Sequence, residues 1–115
     1  MKKLTALIVV MWSALTLLGA DLTGTWSVAV VLDAGTGAAT FTFKQTGEAL
    51  TGTYTGTFGS AQVTGTVKGD QIEWSFDNDQ VGKVTYQGTV DAAGKIKGTV
   101  IYGQLGKGSF VGEKK

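Results

Sequence analysis

The sequence predicts an all-β protein, an eight-stranded antiparallel up-and-down β-barrel that follows an apolar N-terminal segment. Three observations support this fold class. After Ala20, apolar and polar residues alternate with a period of two, and no segment has helical spacing. Short turns rich in Gly, Asp and Asn separate eight such stretches. Each stretch has one apolar face, and a closed barrel buries that face while leaving no open sheet edge. A two-sheet sandwich is the alternative that the pattern leaves open.

Residues 1–20 resemble a secretory signal peptide. Residues 1–3 are basic, residues 4–18 are mostly apolar, and Gly19 and Ala20 are small. We expect cleavage after Ala20, which leaves residues 21–115 as a single domain; an uncleaved membrane anchor is the alternative. The mature protein is therefore expected to be exported, to the periplasm or the outside of the cell, and to make no membrane contact.

The first strand is expected to begin at Gly24, and residues 33–37 are expected to form the longest connection of the barrel. Each strand presents its larger apolar residues and some of its glycines to the inside. The inward residues are Trp26, Val28, Val30 and Leu32 in the first strand, Ala39, Phe41 and Phe43 in the second, Leu50, Gly52, Tyr54, Gly56 and Phe58 in the third, and Ala61, Val63, Gly65 and Val67 in the fourth.

The last four strands continue the same alternation. Their inward residues are Ile72, Trp74 and Phe76 in the fifth strand, Val84, Tyr86, Gly88 and Val90 in the sixth, Ile96, Gly98, Val100 and Tyr102 in the seventh, and Gly108, Phe110 and Gly112 in the eighth. All ten aromatic residues after Ala20 fall on the inward side, and a slip of one residue would move them all outward. The polar outer face argues against a transmembrane barrel, which needs an apolar exterior.

A glycine–threonine repeat runs through these strands, with the order apolar, any residue, Gly, Thr or Ser, apolar. It begins at Leu22, Leu50, Val63, Tyr86 and Ile96, and its Gly always faces inward. Glycine within a strand costs about 0.5–1 kcal/mol relative to Ala. Sharp coiling of the strands in a small barrel and space for a ligand are two possible reasons, of which coiling is the one that small barrels need in any case.

The composition excludes most catalytic and metal chemistry. The chain contains no His, no Cys and no Arg, so it has no imidazole base, no thiolate and no guanidinium for phosphate. The acids lie in turns or point outward, and Asp77-Asn78-Asp79 predicts a plain turn. We therefore expect no enzyme activity, no metal and no cofactor. A net charge of +1 gives no basic surface for nucleic acid.

A small-molecule site is expected at one mouth of the barrel. Aliphatic residues close one end, whereas the other end collects large rings and three tyrosine hydroxyls, a composition typical of pockets for small apolar or aromatic ligands. The candidate ligand-binding residues are Phe43, Tyr54, Phe58, Trp74, Phe76, Tyr86 and Tyr102. The alternative is that these rings simply fill the core, which would leave a non-catalytic structural or interaction module that works through its outer surface.

Four apolar residues break the otherwise polar outer face. They are Ala29, Val31, Ile101 and Val111, and closure of the barrel brings their three strands, the first, seventh and eighth, side by side. A contiguous exposed apolar patch indicates an interface, and symmetric dimers are its commonest use. We therefore expect a weak homodimer through this face; scattered surface residues on a monomer are the alternative.

Two segments resemble the avidin/streptavidin family of calycin-type barrels, namely Leu22-Thr23-Gly24-Thr25-Trp26 and Ala49-Leu50-Thr51-Gly52-Thr53-Tyr54. The resemblance implies an eight-stranded up-and-down barrel with a ligand site at one mouth, where Tyr54 and Trp74 match positions that line the biotin pocket. The family's other biotin contacts are not matched. Val28 replaces a polar residue, and only a tight turn at Gly59 stands where the family has a covering loop, so biotin is not the expected ligand.

Overall fold

A computed structural model describes residues 21–33 and 35–115; the expected signal peptide and its cleavage site after Ala20 lie outside these residues. The eight strands are β1 (Gly24–Leu32), β2 (Gly35–Thr46), β3 (Ala49–Gly56), β4 (Gly59–Lys68), β5 (Gln71–Asn78), β6 (Gly82–Val90), β7 (Ile96–Tyr102) and β8 (Lys107–Lys114). A 3-10 turn, Gly103–Leu105, precedes β8. Within the described part of the chain, no helix is long and apolar enough to cross a membrane.

The strands form a closed antiparallel barrel in which each strand pairs with its neighbour in sequence, which confirms the predicted fold class and excludes the sandwich. Closure is made by β8, which pairs with β7 and also with β1, so that Ala29 lies opposite Val111 and Val30 opposite Phe110. Because both edge strands are paired, their backbone N–H and C=O groups are satisfied within the sheet.

The connection between β1 and β2 is shorter than the sequence predicts. Residues 35–37 were expected in a loop, but they belong to β2, where Gly35 pairs with Leu32 and Gly37 with Val30. Gly-Thr-Gly is poor in strand-forming side chains, yet backbone hydrogen bonding to β1 needs none, and the ladder continues to the tip of the hairpin. Among the described residues, the longest stretch between strands is instead residues 91–95, before β7.

The core is built from the predicted inward faces and lacks buried charged groups among the described residues. All ten predicted inward aromatic residues are buried except Phe58, which is half-buried in the turn after β3. Two core residues lie outside the strands and escaped the periodicity: Leu22 and Val81. Leu22 precedes β1, and its carbonyl accepts the indole N–H of Trp26 at 2.9 Å. It therefore helps to close the barrel end opposite the large-ring mouth.

Close backbone approach explains five inward glycines, of which four belong to the repeat and one, Gly108, to β8. A Cβ at any of them would overlap a carbonyl oxygen of the neighbouring strand; these are Gly52, Gly65, Gly88, Gly98 and Gly108. Gly88 and Gly98 even lie directly opposite each other on β6 and β7. The glycines therefore allow the strands to coil tightly, and they do not line the pocket at the mouth.

Candidate binding site at the barrel mouth

A pocket of about 150 Å³ opens at the mouth formed by the β1–β2, β3–β4 and β7–β8 connections. Its walls combine aliphatic residues of β1, the glycine-rich start of β2, and aromatic residues of the facing strands and turns. The lining residues are Val30, Leu32, Gly35, Thr36, Gly37, Ala38, Tyr54, Thr57, Phe58, Tyr102 and Leu105. None of them carries a formal charge.

The size of this pocket limits what it can hold. Drug-sized ligands occupy pockets of about 300–1,000 Å³, whereas an apolar cavity of about 150 Å³ accepts a single benzene ring. The pocket at the mouth is therefore comparable in volume to a site for one small ring.

Three of the seven candidate ligand-binding residues line the pocket: Tyr54, Phe58 and Tyr102. Their hydroxyls and rings come from β3, the β3–β4 turn and β7, and Phe58 lies 5.9 Å from Tyr102 between ring centroids. The other four candidates do not reach it; they are Phe43, Trp74, Phe76 and Tyr86, each no more than 4% exposed.

Those four rings belong to a continuous aromatic core beneath the pocket. Trp74 stacks on Tyr86 at 4.9 Å, with only 12° between the ring planes. Phe41 stands at the centre, 5.2 Å from the rings of both Trp74 and Tyr86. The rings therefore fill the middle of the barrel, and a small pocket remains above them.

The alternation could not separate these two depths. Inward position follows from the period of two, but whether an inward ring lines a pocket or packs in the core depends on its height along the barrel axis. Val30, Leu32 and Gly37 were missed as lining residues because they carry no polar or aromatic signal. Their only signal is position, since they are the inward residues nearest the tip of the β1–β2 hairpin.

Three phenols meet where the pocket contacts the aromatic core. The hydroxyls of Tyr86 and Tyr102 are hydrogen-bonded at 2.8 Å, and the Tyr54 hydroxyl accepts the backbone N–H of Phe58 at 3.3 Å. Gly56 makes room for the Tyr54 phenol, because a Cβ there would stand 2.6 Å from its oxygen.

Burial changes the acidity of the hydrogen-bonded phenols. Desolvation raises the pKa of Tyr102 to about 12, although the hydrogen bond with Tyr86 acts in the opposite direction. Desolvation, followed by the nearby Tyr102 phenol, raises the pKa of Tyr86 still further above its ordinary value. Both phenols are therefore neutral hydrogen-bonding groups at physiological pH.

The turn after β5 holds the mouth together. Asn78 donates its side-chain N–H to the Phe58 carbonyl at 3.1 Å, and its Oδ1 accepts the backbone N–H groups of Gln80 and Val81. The Val81 carbonyl in turn accepts the Gln104 N–H from the 3-10 turn at 2.9 Å. This chain of bonds links three connections at the mouth and fixes Phe58 over the pocket. The sequence predicted only a turn here.

The outer face contains a second concave region. Val31 and Val111 are 55% and 58% exposed, and Ala29 pairs with Val111 on one side and with Ala38 on the other. Ala29, Ala38 and Val111 line a shallow groove of about 440 Å³ together with the charged residues Glu113, Lys114 and Lys115, whereas Val31 lies outside it.

Ile101, the fourth residue of the expected apolar patch, is 50% exposed. It pairs with Lys107, four residues along β8 from Val111, and so it stands apart from the other three. Ala38 takes its place as the fourth apolar member of the cluster, which we call the alanine–valine patch: Ala29, Val31, Ala38 and Val111.

Across residues 21–33 and 35–115, no group of three or more acidic residues is placed to hold a metal ion. The eight-stranded antiparallel barrel is compatible with avidin-like and other calycin folds. No model of a known protein family matches the chain, and no curated protein does so at a significant level.

Proposed function

We propose that this protein is a non-catalytic barrel that binds a small, neutral, single-ring molecule in the pocket at its mouth. The observation that carries the proposal is the pocket of about 150 Å³ itself, which is lined by apolar and tyrosine side chains. It lies directly above the aromatic core. Pockets with apolar walls and a few oriented polar groups are the usual small-molecule sites.

The lining chemistry favours an uncharged ligand. A charged ligand would lose its hydration in the pocket without compensation, because none of the described lining residues is charged. Binding without catalysis is favoured because general acid–base catalysis works best with a pKa near the operating pH, and the pKa of Tyr102 is about 12.

The site also needs little rearrangement to accept a ring. The bonds of Asn78 and Val81 already hold the Phe58 turn and the 3-10 turn in place. A preformed site loses less conformational entropy on binding, so a small contact area can still give measurable affinity.

A titration of ¹⁵N-labelled protein with toluene tests the proposal. We expect saturable shifts of the backbone amides of Thr36, Phe58 and Gly103, and small shifts elsewhere. Gly37→Leu should abolish them, because a Cβ at Gly37 meets nothing closer than 3.9 Å and a larger side chain would extend into the pocket. Thr42→Leu, an exposed position on the same strand, is the matched control. Linear, unsaturable shifts in the wild type would overturn the proposal.

A second candidate function is self-association through the alanine–valine patch. It is favoured by one observation: Val31 and Val111 are more than half exposed beside two alanines on adjacent strands. Four small side chains bury less than the roughly 1,200 Å² of a standard interface, so we propose a weak homodimer.

Sedimentation equilibrium from 10 µM to 1 mM, on the order of the range for weak complexes, tests this homodimer. Val111→Lys should give a folded monomer. Thr99→Lys, which lies on β7 outside the alanine–valine patch, should leave the association unchanged. A wild type that is monomeric throughout would contradict it.

We further propose that the chain is exported and cleaved after Ala20. Cleavage there is compatible with the barrel, because the first residue of the described core is Leu22, whose N–H donates to the Gln45 side chain at 2.9 Å. N-terminal sequencing of protein from fractionated cells should find Asp21 first. Protein retained in the cytoplasm with residues 1–20 attached would contradict export.

A further inference from the structure

The hydrogen bond between Tyr86 and Tyr102 uses only one of two phenolic protons. Each phenol has a single O–H donor, and the 2.8 Å contact needs one donor and one acceptor. The proton of the accepting phenol must therefore point elsewhere. Where it points decides what the inner end of the pocket offers to a ligand.

Burial determines the direction of this bond. Tyr86 is 0% exposed, and within the described residues its hydroxyl has no hydrogen-bond partner besides Tyr102. If Tyr86 were the acceptor, its own proton would be left unbonded inside the aromatic core, which is costly. Tyr102 lines the pocket. Tyr86 therefore donates, and the Tyr102 proton is left for an acceptor in the pocket or for Tyr54.

The neighbouring phenol of Tyr54 does not remove the free O–H donor from the pocket. The Tyr54 oxygen accepts the Phe58 N–H, so Tyr54, which also lines the pocket, keeps an O–H proton of its own. A hydrogen bond between Tyr102 and Tyr54 would use one of their two protons and leave the other free. In either arrangement a chain of phenols that starts at buried Tyr86 ends in an O–H donor at the inner end of the pocket.

We propose that the pocket takes small cyclic molecules that carry one neutral hydrogen-bond acceptor, such as a ketone, with the acceptor oxygen directed inward to the free phenolic O–H of Tyr102 or Tyr54. This inference rests on the proposed binding function. An apolar ligand would cover the hydroxyl and leave it unbonded, whereas a ketone satisfies it. The ring of the ligand then packs against Val30, Leu32 and Phe58, and its open side faces Leu105 at the rim.

Two ligands of the same shape test the inference: cyclohexanone and methylenecyclohexane, in which a CH₂ group replaces the ketone oxygen. The protein variant is Tyr54→Phe/Tyr86→Phe/Tyr102→Phe, which removes all three hydroxyls and leaves no buried phenol without a partner. Tyr102→Phe alone is a second variant. Dissociation constants come from amide shifts, and the ¹³C shift of labelled cyclohexanone carbonyl reports hydrogen bonding directly.

We expect the triple variant to bind cyclohexanone about 3- to 10-fold more weakly than the wild type, the value of one hydrogen bond between neutral groups. Its affinity for methylenecyclohexane should be unchanged or higher. The carbonyl ¹³C resonance of bound cyclohexanone should lie further downfield in the wild type than in the variant, because only the wild type donates a hydrogen bond to the ketone.

The outcomes separate this inference from the binding function. If methylenecyclohexane binds the wild type but cyclohexanone affinity and carbonyl shift are the same in both proteins, the acceptor preference is wrong and the binding site stands. If neither ligand binds the wild type, both proposals are overturned.

Discussion

The phenol pair at the base of the mouth gives a sharp test of the packing described here. Tyr102→Phe removes the acceptor of the Tyr86 proton and leaves that hydroxyl unbonded in a site that is 0% exposed. An unsatisfied buried polar group costs about 1–3 kcal/mol. Tyr86→Phe leaves the Tyr102 hydroxyl at the pocket, where water can reach it, so only the net hydrogen bond of about 0.5–1.5 kcal/mol is lost.

The double variant completes the cycle. Once one hydroxyl is gone, removal of the second relieves the unsatisfied group, so Tyr86→Phe/Tyr102→Phe should be no less stable than Tyr102→Phe alone. The coupling free energy should be about 1–2 kcal/mol, within the range for residues in direct contact. Urea unfolding followed by tryptophan fluorescence measures all four proteins. Additive losses would refute the hydrogen bond itself. A larger loss for Tyr86→Phe than for Tyr102→Phe would refute its direction.

Three further predictions concern the core and its pH dependence. Trp74→Phe should destabilise the protein by about 1–3 kcal/mol less than Trp26→Phe, because the buried Trp74 Nε1 has no hydrogen-bond partner in the described structure whereas Trp26 has one. Gly98→Ala should cost about 1–3 kcal/mol or more through overlap with the adjacent strand, while Gly37→Ala should stay within about 1 kcal/mol of the wild type. Finally, stability should fall from about pH 10 to about 12, because the unfolded chain releases the Tyr102 proton before the folded chain does.

Denaturant unfolding of each variant, and of the wild type at pH 9 and pH 11, checks these values. Equal costs for the two tryptophan variants would show that the surrounding rings accept the Trp74 N–H. A tolerated Gly98→Ala would mean that β6 and β7 do not approach as closely as described. For the pH series, the variant without both phenols is the control, and an identical pH dependence in it would assign the loss to other groups.

The strand register was predictable because it rests on a single property. Side chains alternate between faces, and only one placement puts every ring of the mature sequence inside, so Trp74 and Tyr86 could be assigned to one face without coordinates. The sharp turns at Gly69 and Gly94 were equally readable, since both adopt positive φ, which favours glycine.

The exact pairing of weakly patterned segments was less predictable. Residues 35–37 carry no large side chain, so their pairing with β1 follows from the backbone ladder and not from side-chain pattern. Leu22 was missed for a different reason: it precedes β1, outside the strand alternation, and yet is buried in the core. The hydrogen bond between Tyr86 and Tyr102 could not be predicted without interatomic distances, because the two residues lie on different strands and meet only through packing.

Crystallography with bromobenzene tests the central claim most directly, because the anomalous signal of bromine locates the ligand without assumptions about the site. We predict one strong bromine peak at the mouth, enclosed by Val30, Phe58 and Tyr102, above an aromatic core that holds no bromine. A bromine peak within the core beside Phe41, or peaks confined to the outer groove at Val111, would contradict this assignment of the binding site.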